Sequence, residues 1–258
     1  MISPAPNRQA LIKRVSRFFN SNTWDKAPVN VLIDSLTQKA DTYIFGGMIR
    51  DIGLFGLNKF NSDIDIVFNG NKKLLIESFK SVNIENYQEN KFGGFRVKSS
   101  KWDIDIWTTH DTWAFKNGLV DFNNVGSLLN TTLMTWDSVL FNLETKELIF
   151  KDGYLDDLIS GRLELVLSEN PNEISSLVRF LRAIFGKNVN TLGEKATNFV
   201  IMLLAKFSAE EIINYEDDSY SKKYISLSRL SDFKKSLEQY SGKGDFRIGG
   251  YYQLSLDI

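Results

Sequence analysis

The chain has 258 residues, of which 43% are hydrophobic and 13% aromatic, and its formal net charge is −1. This composition excludes an intrinsically disordered chain, and the length suits one large domain or a catalytic domain with a smaller companion. The balanced charge provides no global positive field, so a nucleic acid would have to bind a local patch. Cysteine is absent, which excludes disulfides and thiolate sites and leads us to expect a cytoplasmic protein.

Residues 1–28 are predicted to form a leader helix. The first 24 residues contain no acid, and hydrophobic and basic side chains alternate at helical spacing. A transit peptide has a similar composition, but we interpret the segment as an amphipathic helix packed on the following domain. No hydrophobic run approaches the roughly 18 residues needed to cross a bilayer, so we expect no membrane association.

Residues 29–168 are predicted to form an α+β lobe with a mixed or antiparallel sheet. Hydrophobic periods of 3.6 and 2 alternate along this stretch, separated by glycine, serine and charged turns. The predicted elements are helices at 31–40, 48–54 and 74–80, strands at 42–45 and 63–68, strands at 94–98 and 102–107 joined by a Ser99-Ser100 turn, and a hairpin of 134–142 with 147–152.

Residues 169–258 are predicted to form a second, mainly helical lobe. Asn170 as N-cap, Pro171 at the first helical position and Glu173 signal the start of its first helix. An apolar stripe follows, and further helices are indicated around residues 199–207, 208–211 and 231–240. The stretch from 244 to 258 indicates no more than strand pairing.

Two acids on one predicted strand are the first candidate site. Asp63 and Asp65 are one residue apart, so their carboxylates project from one face while Ile64 and Ile66 enter the core. Such a pair suits a divalent cation such as Mg²⁺, which prefers oxygen ligands and leaves room for phosphates. Taken alone, the pair is better explained by a solvated strand face.

A glycine turn upstream favours the functional interpretation. Gly46 and Gly47 stand between a predicted strand and a helix, where backbone N–H groups can cradle phosphate. Arg50 in the first helical turn adds a phosphate-binding fork, and Asp51 is placed to orient it by an ion pair.

A second acidic strand offers a third metal ligand. Asp103 and Asp105 also share one strand face, with isoleucines on the other. Three carboxylates from neighbouring strands can enclose two metal ions and assist proton removal from an attacking hydroxyl. The spacing leaves open which of the two is the ligand.

The run Gly-Gly-Met-Ile-Arg-Asp at 46–51, with Asp-Ile-Asp-Ile-Val at 63–67, resembles the head of class II CCA-adding enzymes and bacterial poly(A) polymerases, of the DNA polymerase β-like nucleotidyltransferase superfamily. Residues 105–109 resemble that family's acid-containing strand. The resemblance implies a nucleotidyltransferase head over 29–168, a helical neck and body over 169–258, and two Mg²⁺ ions on Asp63, Asp65 and Asp105, with Asp103 as the alternative to Asp105.

Later segments extend the resemblance in the same order. Residues 140–142 and 155–158 resemble the later part of the head, and residues 178–183 resemble the arginine-bearing neck helix. Arg179 and Arg182 share one helix face, and the resemblance implies that they bind nucleotide together with Gly46, Gly47, Arg50 and Asp51. Without it, they would be interpreted as a solvated basic face.

Departures from the family concern base selection and the acceptor. The family's Arg-Arg-Asp triplet is replaced by Thr-Thr-Leu at 131–133, and Asp137 stands where asparagine is expected. The neck stretch at 175–179 keeps Arg179 but lacks its acidic partner, and His110 stands where arginine is common. The chain also ends soon after the neck, so we do not expect programmed CCA addition.

The resemblance implies transfer of a nucleoside monophosphate from ATP or CTP to a hydroxyl, most simply an RNA or tRNA 3′ end, with release of pyrophosphate. Two alternatives stay open: a protein, small-molecule or nucleotide acceptor, and a catalytically silent module that binds nucleotide or RNA. The oligomeric state has no signal in the sequence.

Overall fold

The computed structural model of the chain describes residues 3–21, 23, 26–60, 62–99 and 101–249. It divides into two compact units, one of residues 1–132 with 136–159 and the other of residues 133–135 with 160–258. Ser100 of the predicted turn and the last nine residues of the predicted C-terminal stretch lie outside the described residues.

The first unit is built on one seven-stranded sheet with helices. Its helices are α1 (Arg8–Phe19), α2 (Ala27–Thr37), α3 (Gly47–Phe55), α4 (Lys72–Ser81), α5 (Trp113–Lys116) and α6 (Tyr154–Ser160). Its strands are β1 (Thr42–Phe45), β2 (Ile64–Phe68), β3 (Tyr87–Glu89), β4 (Phe95–Lys98), β5 (Asp103–Thr108), β6 (Val139–Asn142) and β7 (Leu148–Phe150).

The sheet is mixed. Its strand order is β3-β4-β5-β2-β1-β6-β7. Strands β2 and β5 are parallel, while β1 pairs antiparallel with both β2 and β6. A parallel pair cannot be joined by a tight turn, and here α4, β3 and β4 form the connection. The predicted α+β class with a mixed sheet is confirmed.

The central strands bury one face and leave polar groups on the other. Ile64 and Ile66 of β2, and Ile104 and Ile106 of β5, are all at most 1% exposed. The intervening positions carry Asp65 and the acids of β5, because side chains alternate between the two faces of a strand. The alternation of isoleucine and aspartate in β2 and β5 therefore places the isoleucines in the core and the aspartates together on the opposite face.

Helix α1 packs on α3 within the first unit. Leu11, Val15 and Phe18 of α1 are buried. Arg14 Nη1 donates a hydrogen bond to the carbonyl oxygen of Gly53, at 2.8 Å. A Cβ on Gly53 would lie 3.1 Å from Leu11 Cδ1, so the glycine permits the close approach of the two helices. This segment of the predicted leader is an amphipathic helix with its apolar face in the core.

The strand predicted at 134–142 is shorter in the structure. Residues 139–142 form β6, but Thr135–Asp137 is a 3-10 turn. Met134 instead forms an isolated bridge with Leu165, and Thr135 N donates to Glu164 O at 2.9 Å. These backbone bonds go to residues about 30 positions away, so the segment leaves the predicted hairpin.

The second unit is mainly helical and also contains a small sheet. Its helices are α7 (Glu173–Gly186), α8 (Glu194–Lys206), α9 (Ala209–Ser219) and α10 (Leu227–Leu237), and its strands are β8 (Arg162–Leu163), β9 (Thr191–Leu192) and β10 (Phe246–Arg247). The three strands form a sheet in the order β10-β9-β8. In the described part of the chain, no helix combines the length and hydrophobicity needed to span a membrane.

The first helix of this unit begins two residues later than predicted. Its N-cap is Asn172, whose side chain accepts a hydrogen bond from Ser175 N at 3.2 Å. The side chain of Asn170, the predicted cap, accepts from Asn172 N at 3.1 Å. Asn170 therefore stabilises the turn that leads into the helix.

Candidate functional site

The sheet brings the predicted carboxylates together on one face. Asp65 of β2 lies directly opposite Asp105 of β5 in the parallel register. Asp63 and Asp103 each precede one of these residues by two positions, so they project from the same face. The third predicted ligand, Asp105, is thus the in-register neighbour of Asp65.

Arg96, which was not among the residues predicted from the sequence, lies among these carboxylates. It stands on β4 opposite Asp105. Its Nε and Nη2 donate to the two carboxylate oxygens of Asp105, at 2.8 and 2.5 Å. Nη2 also lies 3.3 Å from Asp63 Oδ2, and Nη1 lies 3.7 Å from Asp103 Oδ2. One guanidinium therefore contacts three of the acids.

The electrostatics of the face are dominated by negative charge. Burial raises the pKa of Asp63 above its ordinary value; Arg96 opposes this shift, and the nearby Asp105 and Asp103 add to it. The pKa of Arg96 is raised, first by its hydrogen bond with Asp105. Arg96 contacts three of these carboxylates, and like charges held this close together favour the binding of a further cation.

The residue chemistry fits a hard divalent cation. All the candidate ligands are carboxylate oxygens, which Mg²⁺ prefers. Within the described residues, however, no three acidic or histidine side chains converge on one point as they stand. The guanidinium of Arg96 instead forms hydrogen bonds with both Asp63 and Asp105.

The Gly46-Gly47 turn lies beside these acids. It follows β1, whose register with β2 sets Ile44 against Ile66 and so carries the end of β1 alongside Asp65. Gly46 is the N-cap of α3 with φ +65°, a conformation that favours glycine, and its N–H donates to Val139 O at 2.9 Å. The N-terminus of α3 therefore lies next to the acidic face.

Arg50 is buried below the turn. Its Nε donates to Asp51 Oδ1 at 2.7 Å, as the sequence analysis expected, and its Nη1 donates to Asp137. Both acids are buried, and a Cβ on Gly47 would lie 3.4 Å from Arg50 Nη2. Asp137, which stands where the resemblance expects asparagine, is the second acidic partner of Arg50.

Both neck arginines lie in the second unit, on α7. Arg182 Nη1 donates to Glu216 Oε1 at 2.5 Å and to Lys222 O at 2.6 Å, and its guanidinium lies 3.8 Å from the ring centre of Tyr220. Glu216 is 1% exposed. Arg182 thus connects α7 to α9 and to the segment that follows it, and Arg179 lies one turn earlier on the same helix.

No family model and no curated protein matches the chain. Several solved structures, however, are similar to the chain. One is a tRNA nucleotidyltransferase complexed with a primer tRNA and an incoming ATP analogue, with 21% identity, a TM-score of 0.58, and matching regions of 80% of this chain and 60% of that one. Another is the Thermotoga maritima CCA-adding enzyme complexed with tRNA, with 18% identity, a TM-score of 0.60, and 86% and 54% coverage. A third is a tRNA-processing enzyme with CTP, with 18% identity, a TM-score of 0.58, and 81% and 56% coverage.

The chain therefore spans little more than half the length of these three proteins. At these identities the likeness establishes the fold. The seven-stranded mixed sheet, followed by a mainly helical unit, is the architecture that the sequence resemblance implied. The protein has the fold of the tRNA nucleotidyltransferases and CCA-adding enzymes.

Proposed function

We propose that the protein is a Mg²⁺-dependent nucleotidyltransferase that transfers a nucleoside monophosphate from ATP or CTP to the 3′ hydroxyl of an RNA, most simply a tRNA. The observation that carries this proposal is the in-register pair Asp65 and Asp105, with Asp63 two residues before Asp65, on one face of parallel strands. The fold supports the same activity, because the similar structures include complexes with an ATP analogue, with CTP and with tRNA.

In the proposed reaction, the acceptor oxygen bonds to the α-phosphorus, and the bond between that phosphorus and the oxygen bridging to the β-phosphate breaks. Pyrophosphate leaves with the bonding electrons, and the hydroxyl proton passes to solvent. When bound, two Mg²⁺ ions would activate the acceptor hydroxyl and offset the charge on the departing pyrophosphate. Asp63 and Asp65 would hold both ions, and Asp105 would hold the ion nearer the acceptor.

We assign the triphosphate to the turn at the start of α3. The N–H of Gly46 is used by Val139, but those of Gly47 and Met48 belong to the first turn of the helix, where no intrahelical acceptor exists. The helix dipole also favours an anion there. Arg50 and Asp51 would act indirectly, because their buried ion pairs fix the shape of the turn.

The neck arginines are assigned to phosphate groups of nucleotide or RNA, as the resemblance implies. Arg179 would make this contact, while Arg182 would hold α7 to α9 through Glu216. Ser176, within the stretch where the family carries its base-reading acid, is fully buried and donates to Asn172 O at 3.3 Å. Ser176 therefore presents no carboxylate to a nucleobase, and this position does not distinguish ATP from CTP.

The test is pyrophosphate release with Mg²⁺ and each of the four ribonucleoside triphosphates, with and without total tRNA. We expect release that requires both Mg²⁺ and RNA and that occurs with ATP or CTP. An Asp63→Asn/Asp65→Asn variant, shown to be folded by circular dichroism, is the control and should give background release.

Other outcomes would redirect the assignment. Release that does not require RNA would favour a protein, small-molecule or nucleotide acceptor. An increase in melting temperature with Mg²⁺ and triphosphate, but no pyrophosphate under any condition, would contradict an enzymatic function and favour a silent binding module.

A further inference from the structure

The guanidinium of Arg96 contacts two of the proposed metal ligands, Asp105 and Asp63. Its bidentate contact with Asp105 uses Nε and Nη2, and Nη2 is shared with Asp63. A guanidinium that forms two parallel bonds to a carboxylate fixes both the position and the plane of that group. Arg96 therefore determines where the oxygens of Asp105 lie before any other cation arrives.

The same atoms would be required by a metal ion. A divalent cation held by Asp63, Asp65 and Asp105 needs at least one oxygen from each, and both oxygens of Asp105 already accept hydrogen bonds from Arg96. A positive guanidinium within hydrogen-bond distance of these oxygens also repels a second positive charge. Arg96 and the metal ion therefore compete for the negative charge of Asp105 and Asp63.

The position of Arg96 allows it to move aside. It lies on β4, and its side chain is 42% exposed, as against 11% for the buried Arg50. An exposed arginine can change rotamer at little cost, and its ion pairs are screened by water. Exchange of the guanidinium for a metal ion therefore requires no rearrangement of the sheet.

We propose that Arg96 is a positioning residue that competes with divalent cations for Asp105 and Asp63. Without metal it holds the acids in place and offsets part of their repulsion, and metal binding displaces it. The inference rests on the proposed function, since it assumes that a divalent cation binds these carboxylates. It adds that the metal affinity of the site is set by an arginine of the neighbouring strand.

The test measures metal affinity without any reaction. Mn²⁺, which shares oxygen ligands with Mg²⁺, would be titrated into the full-length protein and its free concentration followed by electron paramagnetic resonance. The variants are Arg96→Met, which removes the charge, and Arg96→Lys, which keeps the charge but not the bidentate geometry. The matched control is Lys98→Met, because Lys98 lies on the same strand opposite Asp103.

We expect Arg96→Met to bind Mn²⁺ roughly tenfold more tightly than the unchanged protein, since one competing charge is removed at a partly exposed site. Lys98→Met should change the affinity by no more than about twofold, because a charge without a direct contact is screened. Arg96→Lys should fall between the two. Equal or weaker binding by Arg96→Met would overturn the inference.

A second measurement guards against a change in folding. In the absence of metal, Arg96→Met should melt at a lower temperature than the unchanged protein, because the acids lose their counter-charge. Added Mg²⁺ should then raise its melting temperature by more than it raises that of the unchanged protein. A smaller rise would also overturn the inference.

The failures of the inference and of the proposed function are distinguishable. If Mn²⁺ binds, if Asp65→Asn abolishes that binding, and if Arg96→Met leaves the affinity unchanged, the competition is wrong and the metal site stands. If Mn²⁺ binding follows the expected order but no pyrophosphate is released, the proposed function is wrong and the competition stands. If no variant binds Mn²⁺, both are wrong.

Discussion

Replacing Asp65 with asparagine should reduce pyrophosphate release at least about a thousandfold while the protein stays folded, a loss of roughly 4 kcal/mol of transition-state stabilisation. The substitution keeps the shape of the side chain but removes the charge from the residue that pairs in register with Asp105. Because Asp65 is proposed to bind both metal ions, the variant should also lose Mn²⁺ binding. Circular dichroism and thermal melting check the fold.

Asp105→Asn and Asp103→Asn form a matched pair for the third ligand. The two residues share strand β5 and the same face, and only Asp105 lies opposite Asp65. Asp105→Asn should approach the loss caused by Asp65→Asn, while Asp103→Asn should cost less than about tenfold, as for a screened charge near the site. The reverse order would move the third ligand to Asp103, and full activity of a folded Asp65→Asn protein would rule out the carboxylate site.

Replacing Arg50 with methionine should lower the free energy of unfolding by about 3–5 kcal/mol, because two buried carboxylates lose their ion pairs with Arg50. Arg50 contacts both Asp51 and Asp137, and all three side chains are at most 11% exposed. Methionine retains most of the side-chain length, so the decrease in the free energy of unfolding would arise mainly from loss of the positive charge. Chemical denaturation provides the measurement, with the midpoint and slope fitted together.

Two further variants show whether this loss arises from charge. Asp137→Asn in the Arg50→Met background should recover part of the stability, because it removes one of the two buried negative charges that Arg50 had paired with. Lys72→Met breaks an exposed ion pair with Glu89 and should cost no more than about 1 kcal/mol. A stability loss for Arg50→Met as small as that of Lys72→Met would contradict the buried pairing.

The strands of the site could be predicted from the sequence because they carry their own signal. In β2 and β5, isoleucines alternate with aspartates, and the structure buries the isoleucines at positions 64, 66, 104 and 106. The glycines after β1 were likewise identifiable as a turn into a helix, and Gly46 adopts a positive φ there. Each of these features depends on neighbours within a few residues.

The role of Arg96 was not predictable in the same way. Buried Phe95 and Val97 flank it, so alternation indicates that its side chain lies on the polar face. Its partner, however, depends on the register between β4 and β5, which brings Arg96 opposite Asp105. A shift of one residue in this register would have moved the side chain of Arg96 away from Asp105.

Long-range bonds account for the other differences. Residues 134–138 carry a strand-like pattern, but Met134 and Thr135 bond to Leu165 and Glu164, which the local sequence does not reveal. The two-residue strands β8, β9 and β10 are too short to show a period, and pairing with one another defines them. The candidate ligands are thus apparent from the local sequence, while the contacts that Arg96 makes with them depend on strand pairing.

The proposed transfer to an RNA 3′ hydroxyl can be tested with a single labelling experiment. The protein would be incubated with Mg²⁺, ATP or CTP labelled at the α-phosphate, and total tRNA, beside the same tRNA oxidised with periodate to destroy its 3′-terminal diol. We predict that label enters the untreated tRNA, that oxidised tRNA and the Asp65→Asn variant give none, and that nuclease digestion places the label at the 3′ end. Label on protein or on a small molecule, or none on untreated tRNA with folded protein, would contradict transfer to an RNA 3′ end.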